Sequence, residues 1–215
     1  FNQEYECQFL GSSGTLIAGW KLKELIHKTP IYQDRGLLKY VNPEKGHQYV
    51  MTVDTSEGKG FDYSTFHVTD ITTMPFNQVC TFRSNTLTYD EFAQIIYTTA
   101  IAYNKSSILI ESNGMGTVIF ELLFSTYEYD NLIRTESAGN EGKRVSLGYG
   151  KAIDLGVKMS IGVRAMGCSL LKALIESNQY IINDFNTIEE LSRFSRNGKK
   201  FEAEEGWNDD LVMAL

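Results

Sequence analysis

Cysteine is scarce in this sequence. The three cysteines, Cys7, Cys80 and Cys168, are far apart and form none of the close pairs that zinc sites use. Three is also an odd number for a framework of disulfide bonds. We therefore expect reduced, intracellular thiols, and neither a structural zinc site nor a disulfide-rich secreted domain.

Long apolar runs are missing as well. The longest, such as Ile108 to Ile110, cover only a few residues, whereas a membrane-spanning helix needs about 20. No stretch resembles the apolar core of a signal peptide either. We expect a soluble protein without a visible export signal. Its 215 residues, 42% of them hydrophobic, are enough for one compact domain with a sizeable core.

A surplus of positive charge is absent too. The net charge is −7 at pH 7, which argues against a protein that coats nucleic acids, because such surfaces concentrate Lys and Arg. It does not exclude a nuclease, since divalent ions in an acidic active site would offset part of the charge. The phosphate-loop pattern G-x-x-x-x-G-K-[ST] does not occur, so the sequence shows no ATP motor of that type.

The chain is organised around residues 48–70, QYVMTVDTSEGKGFDYSTFHVTD. Strand-forming residues 49–54 and 63–70 flank a turn with two glycines, a pattern that predicts a hairpin. Residues 78–82 are expected to continue it as a third strand. The segment before this hairpin, residues 1–47, has only scattered signals and is expected to be an arm that packs its apolar residues against the later part of the chain.

Helices and further strands come after the hairpin. Thr88 and Glu91 form a capping box in front of an apolar helical face. Ser107 to Glu111, SILIE, is apolar without alternation, which is typical of a strand covered on both faces. Residues 117–124 predict a helix, and residues 131–134 predict another strand. Because strands joined through helices are usually parallel, we expect an α/β fold with a mixed sheet flanked by helices.

The last third of the chain is more polar. Residues 137–156 are rich in glycine, and we interpret them either as a loop or hairpin that contacts DNA or as a solvated linkage. Asn186 to Glu189 predicts a second capping box, Asn197-Gly198 a hairpin turn and Asn208 the N-cap of the last helix. Between these segments, one face of a predicted helix carries Val163, Met166, Leu170, Leu171, Leu174 and Ile175.

Several acids stand where apolar elements end or begin. Asp54 closes the first strand and Glu111 the fourth, so if these strands are parallel neighbours their ends lie roughly 5 Å apart. Asp209 and Asp210 fall in the first turn of the last helix, and Asp62 lies just after the glycine turn. Oxygen ligands of this kind favour Mg²⁺ or Mn²⁺, which would also relieve the repulsion between the carboxylates.

Each acid also has a plain structural interpretation. Helices tolerate aspartates in the first turn, and Asp54 could cap the turn next to it. Glu111 could form a salt bridge with Arg83 or Arg134. The histidines are too dispersed to form a metal cluster and are expected to be structural. The combined placement of the acids at two strand ends and one helix start is more specific than any single acid.

With these acids placed, the sequence resembles the nuclease domain of the large terminase subunit of tailed bacteriophages, most closely that of T-even-type phages. The resemblance is carried, in this order, by VMTVDTSEGKGFDYSTFHVTDI, ILIESNGMG and EAEEGWNDDLVMAL, and it covers the chain from about Tyr40. It implies a ribonuclease H-like fold, with three antiparallel strands plus parallel strands. It also implies that residues 1–40 connect a preceding ATPase domain to a nuclease domain at 41–215.

The resemblance also implies an activity and a site. The activity is metal-dependent endonucleolytic cutting of double-stranded DNA, with little sequence specificity, during viral genome packaging. Asp54 matches the first-strand acid, Glu111 the fourth-strand acid, and Asp209 and Asp210 the acids of the final helix. These four are the expected catalytic residues and ligands of two Mg²⁺ or Mn²⁺ ions, with Asp62 as a further ligand. The family often has His where this chain has Asn208.

The implied partners are double-stranded DNA, an ATPase domain of the same natural chain, a small terminase subunit and a portal protein, in the host cell cytoplasm and without a membrane. Two other functions stay open: an ATP-dependent phosphotransferase with a ribonuclease H-like fold, and a non-catalytic docking module. The candidates for contacts with the DNA phosphates are Lys143, Arg144, Lys151, Lys199 and Lys200.

Overall fold

A mixed sheet of seven strands forms the centre of the protein. The computed structural model describes residues 14–56, 62–137, 143–146, 153–198 and 200–215. The strands are β1 (Tyr32–Asp34), β2 (Leu37–Lys39), β3 (Tyr49–Asp54), β4 (Ser64–Asp70), β5 (Phe76–Ser84), β6 (Ser107–Ile110), β7 (Arg134–Ser137), β8 (Lys143–Val145), β9 (Ile153–Leu155), β10 (Tyr180–Ile181), β11 (Phe194–Asn197) and β12 (Lys200–Ala203). The central sheet has the order β1-β2-β5-β4-β3-β6, and β10 pairs with β5.

Helices cover the sheet and connect its strands. They are α1 (Gly19–Glu24), α2 (Tyr89–Ala102), α3 (Gly116–Glu121) with a π-helical continuation over Leu122–Thr126, α4 (Ile161–Glu176), α5 (Phe185–Arg193) and α6 (Asp210–Ala214). Strands β3, β4 and β5 form an antiparallel meander, and β6 pairs with β3 in parallel. The predicted mixed α/β architecture is therefore confirmed.

Helix α2 begins as the sequence predicts. The Thr88 hydroxyl accepts a hydrogen bond from the Glu91 amide (3.3 Å), and the Glu91 carboxylate accepts one from the Thr88 amide (2.9 Å). The apolar face of the helix packs on the meander, where the ring of Phe92 stacks near those of Phe66 and Phe82. This side of the sheet holds the main hydrophobic core.

The other face of β4 supports helix α6. Side chains alternate along a strand, so Phe66 and Val68 enter the main core while Thr65 and His67 contact α6. All four side chains are buried. Strand β4 is thus covered on both sides, and one of its faces packs against the last helix.

The N-terminal arm packs against the rest of the chain. Leu16, Ile17 and Leu22 join a second hydrophobic cluster that includes residues of α4, α5 and α6, and strands β1 and β2 extend the central sheet beyond β5. The proposed boundary between residues 40 and 41 stays a prediction.

Three expectations about individual elements are wrong. The strand expected at 131–134 begins at Arg134 and runs to Ser137 in a small sheet of β7, β8 and β9, while Leu132 forms a single bridge to Ile108. Helix α5 begins after Asp184, whose carboxylate accepts from the amide and hydroxyl of Thr187 (2.8 and 2.7 Å). The N-cap of α6 is Asp209 rather than Asn208.

The apolar face of α4 is only partly buried. Ile175 is fully buried, but Met166 is 40% and Leu170 61% exposed. Leu170 lines an open apolar groove of about 410 Å³ between α4 and strands β3 and β6. The amphipathic spacing therefore predicted the helix correctly. The burial of its apolar face is less complete than that spacing suggests. Among the described residues, no helix is both long and apolar enough to cross a membrane.

Candidate active site

Asp54 and Glu111 lie at the same edge of the central sheet. The parallel register pairs Val53 with Ile110, and the Glu111 amide donates to the Val53 carbonyl (2.9 Å). The predicted pairing of these two strands is therefore confirmed. The alternative salt bridges of Glu111 are not formed, because Arg83 pairs with Glu190 and the Arg134 guanidinium lies over the ring of Phe124.

Helix α6 brings two more acids to this edge, and contacts from β4 hold it in place. The Thr65 hydroxyl donates to the carbonyl of Asp210 (2.9 Å), and His67 Nε2 lies 2.8 Å from the carbonyl of Leu211. Complete burial lowers the pKa of His67, so its ring is neutral, with Nε2 as donor and Nδ1 as acceptor from Gln78 (2.9 Å). His67 is thus a structural residue, as expected.

The start of α6 is capped from another helix. Asp209 makes no capping bond with its side chain, and Glu190 of α5 accepts from the amides of Leu211 (2.8 Å) and Val212 (3.3 Å) instead. Asn208, predicted to be the N-cap, donates to the Asp210 carboxylate (3.0 Å). Because Glu190 caps the helix, the carboxylates of Asp209 and Asp210 are left to face the cavity beside the sheet edge.

Glu190 is itself a buried acid with one positively charged neighbour. Its side chain is 8% exposed, and Arg83 Nη1 lies 3.5 Å from its Oε1. The Arg83 guanidinium also covers the Tyr63 ring, 3.9 Å from its centroid. Burial raises the pKa of Glu190 to about 8, although the charge of Arg83 and the bond from the Leu211 amide act in the opposite direction.

The Glu190→Ala variant is expected to lose about 1–3 kcal/mol of unfolding free energy, because two buried amides of α6 lose their acceptor and Arg83 loses its partner. Glu190→Gln keeps an acceptor oxygen of the same size and should lose less than half as much. Urea unfolding of both variants at pH 7 checks this. Equal stability of Glu190→Ala and the wild type would show that the cap does not support α6.

The acids that were predicted from the sequence surround one cavity of about 570 Å³. Of the predicted DNA contacts, Lys200 lines the same cavity, Lys143 and Arg144 belong to β8, and Lys151 and Lys199 lie outside the described residues. Among the described residues, the charged ones that line the cavity are Asp54, Asp62, Glu111, Arg164, Lys200, Asp209 and Asp210.

Burial and mutual repulsion govern the protonation of this cluster. Burial, followed by the charges of Glu111, Asp210 and Asp209, raises the pKa of Asp54 well above its ordinary value. Burial also raises the pKa of Glu111, Asp209 and Asp210. The charge of Arg164 opposes this rise at Glu111 and Asp209. A divalent cation would relieve the same repulsion more fully.

The cavity carboxylates are of the right chemical type to bind a hard divalent cation, but they are not yet spaced to coordinate one. Carboxylate oxygens are what Mg²⁺ and Mn²⁺ prefer, and Asp54 and Glu111 approach from neighbouring strand ends. In the described part of the chain, however, no three His, Cys, Asp or Glu side chains are spaced to hold one ion as they stand. Arg164 Nη2 instead bonds Asp209 Oδ2 (3.0 Å), so a cation held by this oxygen would compete with Arg164 for it.

A comparison with models of known protein families finds a match that covers most of this chain. The model of the terminase RNaseH-like domain matches residues 51–215. This chain belongs to that family. The resemblance to a terminase nuclease domain that was found in the sequence is therefore confirmed at the level of the family.

Solved structures of terminases share its fold. The large terminase nuclease of the thermophilic phage G20c with bound magnesium superposes with a TM-score of 0.71, at 22% identity over 94% of this chain and 95% of that one. The Thermus phage P74-26 large terminase nuclease domain gives 0.65, at 21% identity over 90% and 89%. The large terminase of phage D6E in complex with ADP gives 0.55, at 13% identity over 86% of this chain and 41% of that one. At such identities the likeness shows the fold alone.

Two residues of the candidate site were missed in the sequence analysis. Asn113 donates to Glu111 Oε1 (2.9 Å) and to the Met159 carbonyl (3.1 Å), and so fixes the Glu111 carboxylate. Its position in the turn directly after Glu111 was an available signal. Arg164 lies 45 residues from Asp209 in sequence, on a helix with a mostly apolar pattern, and no local signal marked it.

Proposed function

We propose that this terminase domain is a metal-dependent endonuclease that cuts double-stranded DNA with little sequence specificity during viral genome packaging. The observation that carries the proposal is the convergence of Asp54, Glu111, Asp209 and Asp210 on one open cavity at the sheet edge. The proposal is supported by the similar fold of the G20c and P74-26 domains, both of which are described as large terminase nucleases.

Divalent ions are the proposed cofactors. The G20c nuclease has been solved with magnesium, cobalt and zinc, and the carboxylates of this chain favour Mg²⁺ or Mn²⁺. We propose that Asp54 and one of the α6 aspartates hold one ion, that Asp54 and Glu111 hold a second, and that Asp62 is a further ligand. When bound, such ions supply an activated water nucleophile and stabilise the leaving 3′ oxygen.

The chain itself would provide position and charge. Asn113 orients Glu111, and Glu190 fixes the start of α6, so the carboxylates are held on rigid elements. The direct attack of water needs no covalent enzyme intermediate.

A plasmid assay tests the proposal. The purified chain should nick and linearise supercoiled plasmid in Mg²⁺ or Mn²⁺, at many sites, and should stop in EDTA. Cleavage that continues in EDTA would rule out metal dependence. A folded preparation that cleaves under no metal condition would rule out the nuclease, and binding of ATP by that preparation would then favour the phosphotransferase.

DNA binding is proposed to rest on the phosphate contacts of Lys143, Arg144, Lys151, Lys199 and Lys200. Lys200 is exposed and lines the acidic cavity, which supports its inclusion. Lys200→Gln should weaken duplex binding and reduce the slope of log affinity against log salt by about 1. Lys45→Gln, which changes an exposed lysine outside the cavity lining, is the control. An unchanged slope in Lys200→Gln would refute the contact.

The wider setting is also a proposal. The D6E large terminase, of which this chain matches 41%, was solved with ADP, which supports an ATPase domain in the same natural chain. We propose that residues 1–40 connect that domain to a nuclease domain at 41–215. The proposed partners are a small terminase subunit and a portal protein, and the proposed location is the host cell cytoplasm.

A further inference from the structure

The acids of the cavity would repel the negatively charged phosphodiester of a DNA substrate. In the part of the chain that the structure describes, five acids line the cavity and only Arg164 and Lys200 line it with positive charge. The Lys200 side chain is exposed to solvent, where its attraction for a phosphate is screened. The Arg164 side chain is 24% exposed and is the better placed of the two to act on a phosphate inside the cavity.

Direct contacts hold the Arg164 guanidinium at the acids. Its Nη2 donates to Asp209 Oδ2 and its Nε to the Met213 sulfur, both at 3.0 Å. A guanidinium has five N–H donors in a planar fork, and these two bonds use two of them. The fork geometry matches two phosphate oxygens at once.

The backbone around Arg164 adds to the positive electrostatic potential in the cavity. Arg164 lies in the first turn of α4, a helix of 16 residues, and Ser160 and Ile161 at its start line the same cavity. The positive end of the helix dipole therefore faces the cavity alongside the guanidinium.

We propose that Arg164 is a catalytic residue that binds a non-bridging oxygen of the scissile phosphate. This inference rests on the proposed nuclease function and assigns a role to a residue outside the acidic set. Asp209 and the phosphate then compete for the same guanidinium. If Asp209 were to help hold a cation, Arg164 Nη2 would be free to donate to the phosphate, whose negative charge grows in the transition state.

Two measurements on Arg164→Gln separate this role from simple support of Asp209. Calorimetric titration of Mn²⁺ without DNA should show about fivefold tighter binding, because the cation that competes for Asp209 is gone. Cleavage should be about 10²–10³-fold slower, with the loss in kcat rather than KM. Arg164→Lys keeps the charge without the fork and should recover part of kcat. Lys158→Gln removes an exposed charge outside the cavity lining and should match the wild type.

Other outcomes overturn the inference. Weaker Mn²⁺ binding together with slower cleavage in Arg164→Gln would mean that Arg164 only positions Asp209. Wild-type cleavage by Arg164→Gln would remove the residue from the mechanism and leave the nuclease intact. A wild-type chain that neither binds Mn²⁺ nor cleaves would instead overturn the proposed function, and the role of Arg164 with it.

Discussion

The Asp54→Asn variant should lose cleavage activity by on the order of 10³-fold or more and, in EDTA at pH 7, should be more stable than the wild type. Activity falls because the variant loses a ligand that both proposed ions share. Stability rises because Asp54 is a half-buried carboxylate that is partly desolvated and that Glu111, Asp209 and Asp210 repel, and an uncharged amide removes that repulsion. A residue whose only role is structural would not combine these two effects.

Plasmid cleavage in Mg²⁺ and urea unfolding in EDTA measure the two effects. Glu111→Gln should lose activity to a similar degree. Asp34→Asn, which changes an exposed acid on β1, should leave both properties at wild-type values. An active Asp54→Asn would contradict the assigned role, and a less stable one would contradict the repulsion. A docking module would keep its function in this variant.

The stability of the protein in EDTA should fall as the pH rises from about 5 to 8. Burial raises the folded-state pKa of Asp54, Glu111, Asp209 and Asp210 above the ordinary values near 4, and that of Glu190 to about 8. Between the unfolded and folded pKa values, the folded state therefore binds more protons. Each such group lowers the unfolding free energy by up to about 1.4 kcal/mol per pH unit.

The other titrating groups do not reverse the sign of the sum. Burial lowers the pKa of His67, so its contribution to stability grows with pH up to the ordinary value near 6.5 and opposes the five acids with raised pKa, which outnumber it. The pKa of His47 is raised by its bond with Asp70, so its contribution is also lost as pH rises above its ordinary range. The acids with lowered pKa contribute stability that is lost only as pH falls below about 4.5; they are Asp70, Glu91, Asp130 and Glu176. Stability in EDTA should therefore peak near pH 5.

Mg²⁺ should reverse the trend, because metal ligands bind in their deprotonated form. Urea unfolding at pH 5, 6, 7 and 8, with EDTA or with Mg²⁺, measures both curves. The stabilisation by Mg²⁺ should grow with pH in the wild type and be much smaller in Asp54→Asn. A wild-type stability in EDTA that rises steadily from pH 5 to 8 would contradict the assigned repulsion.

The fold was predictable where local pattern and topology agree. The hairpin of β3 and β4 has strand-forming residues on both sides of a segment with two glycines in its sequence, and the 88–91 capping box acts within one turn of chain. The parallel pairing of β3 and β6 was expected from the helix between them. Asp54 and Glu111 were found because an acid at the end of an apolar strand is locally conspicuous.

The features that could not be predicted depend on contacts between distant segments. Glu190 caps α6 from α5, so the local pattern at Asn208 predicted the wrong N-cap. Arg164 reaches Asp209 across the tertiary fold. The extent to which α4 is covered also depends on the segments that pack against it, as the exposure of Leu170 shows. Periodicity identifies which face of a helix is apolar and carries no information on the partner of that face.

The most direct test of the central claim is diffraction from crystals of the chain grown with Mn²⁺, measured at the manganese absorption edge. The account predicts anomalous peaks in the cavity, within about 2.0–2.3 Å of oxygens of Asp54 and of Glu111 or an α6 aspartate, with Asp209 or Asp210 turned toward the ion. Mn²⁺ bound only elsewhere, or no peak in the cavity at a saturating concentration, would contradict the account.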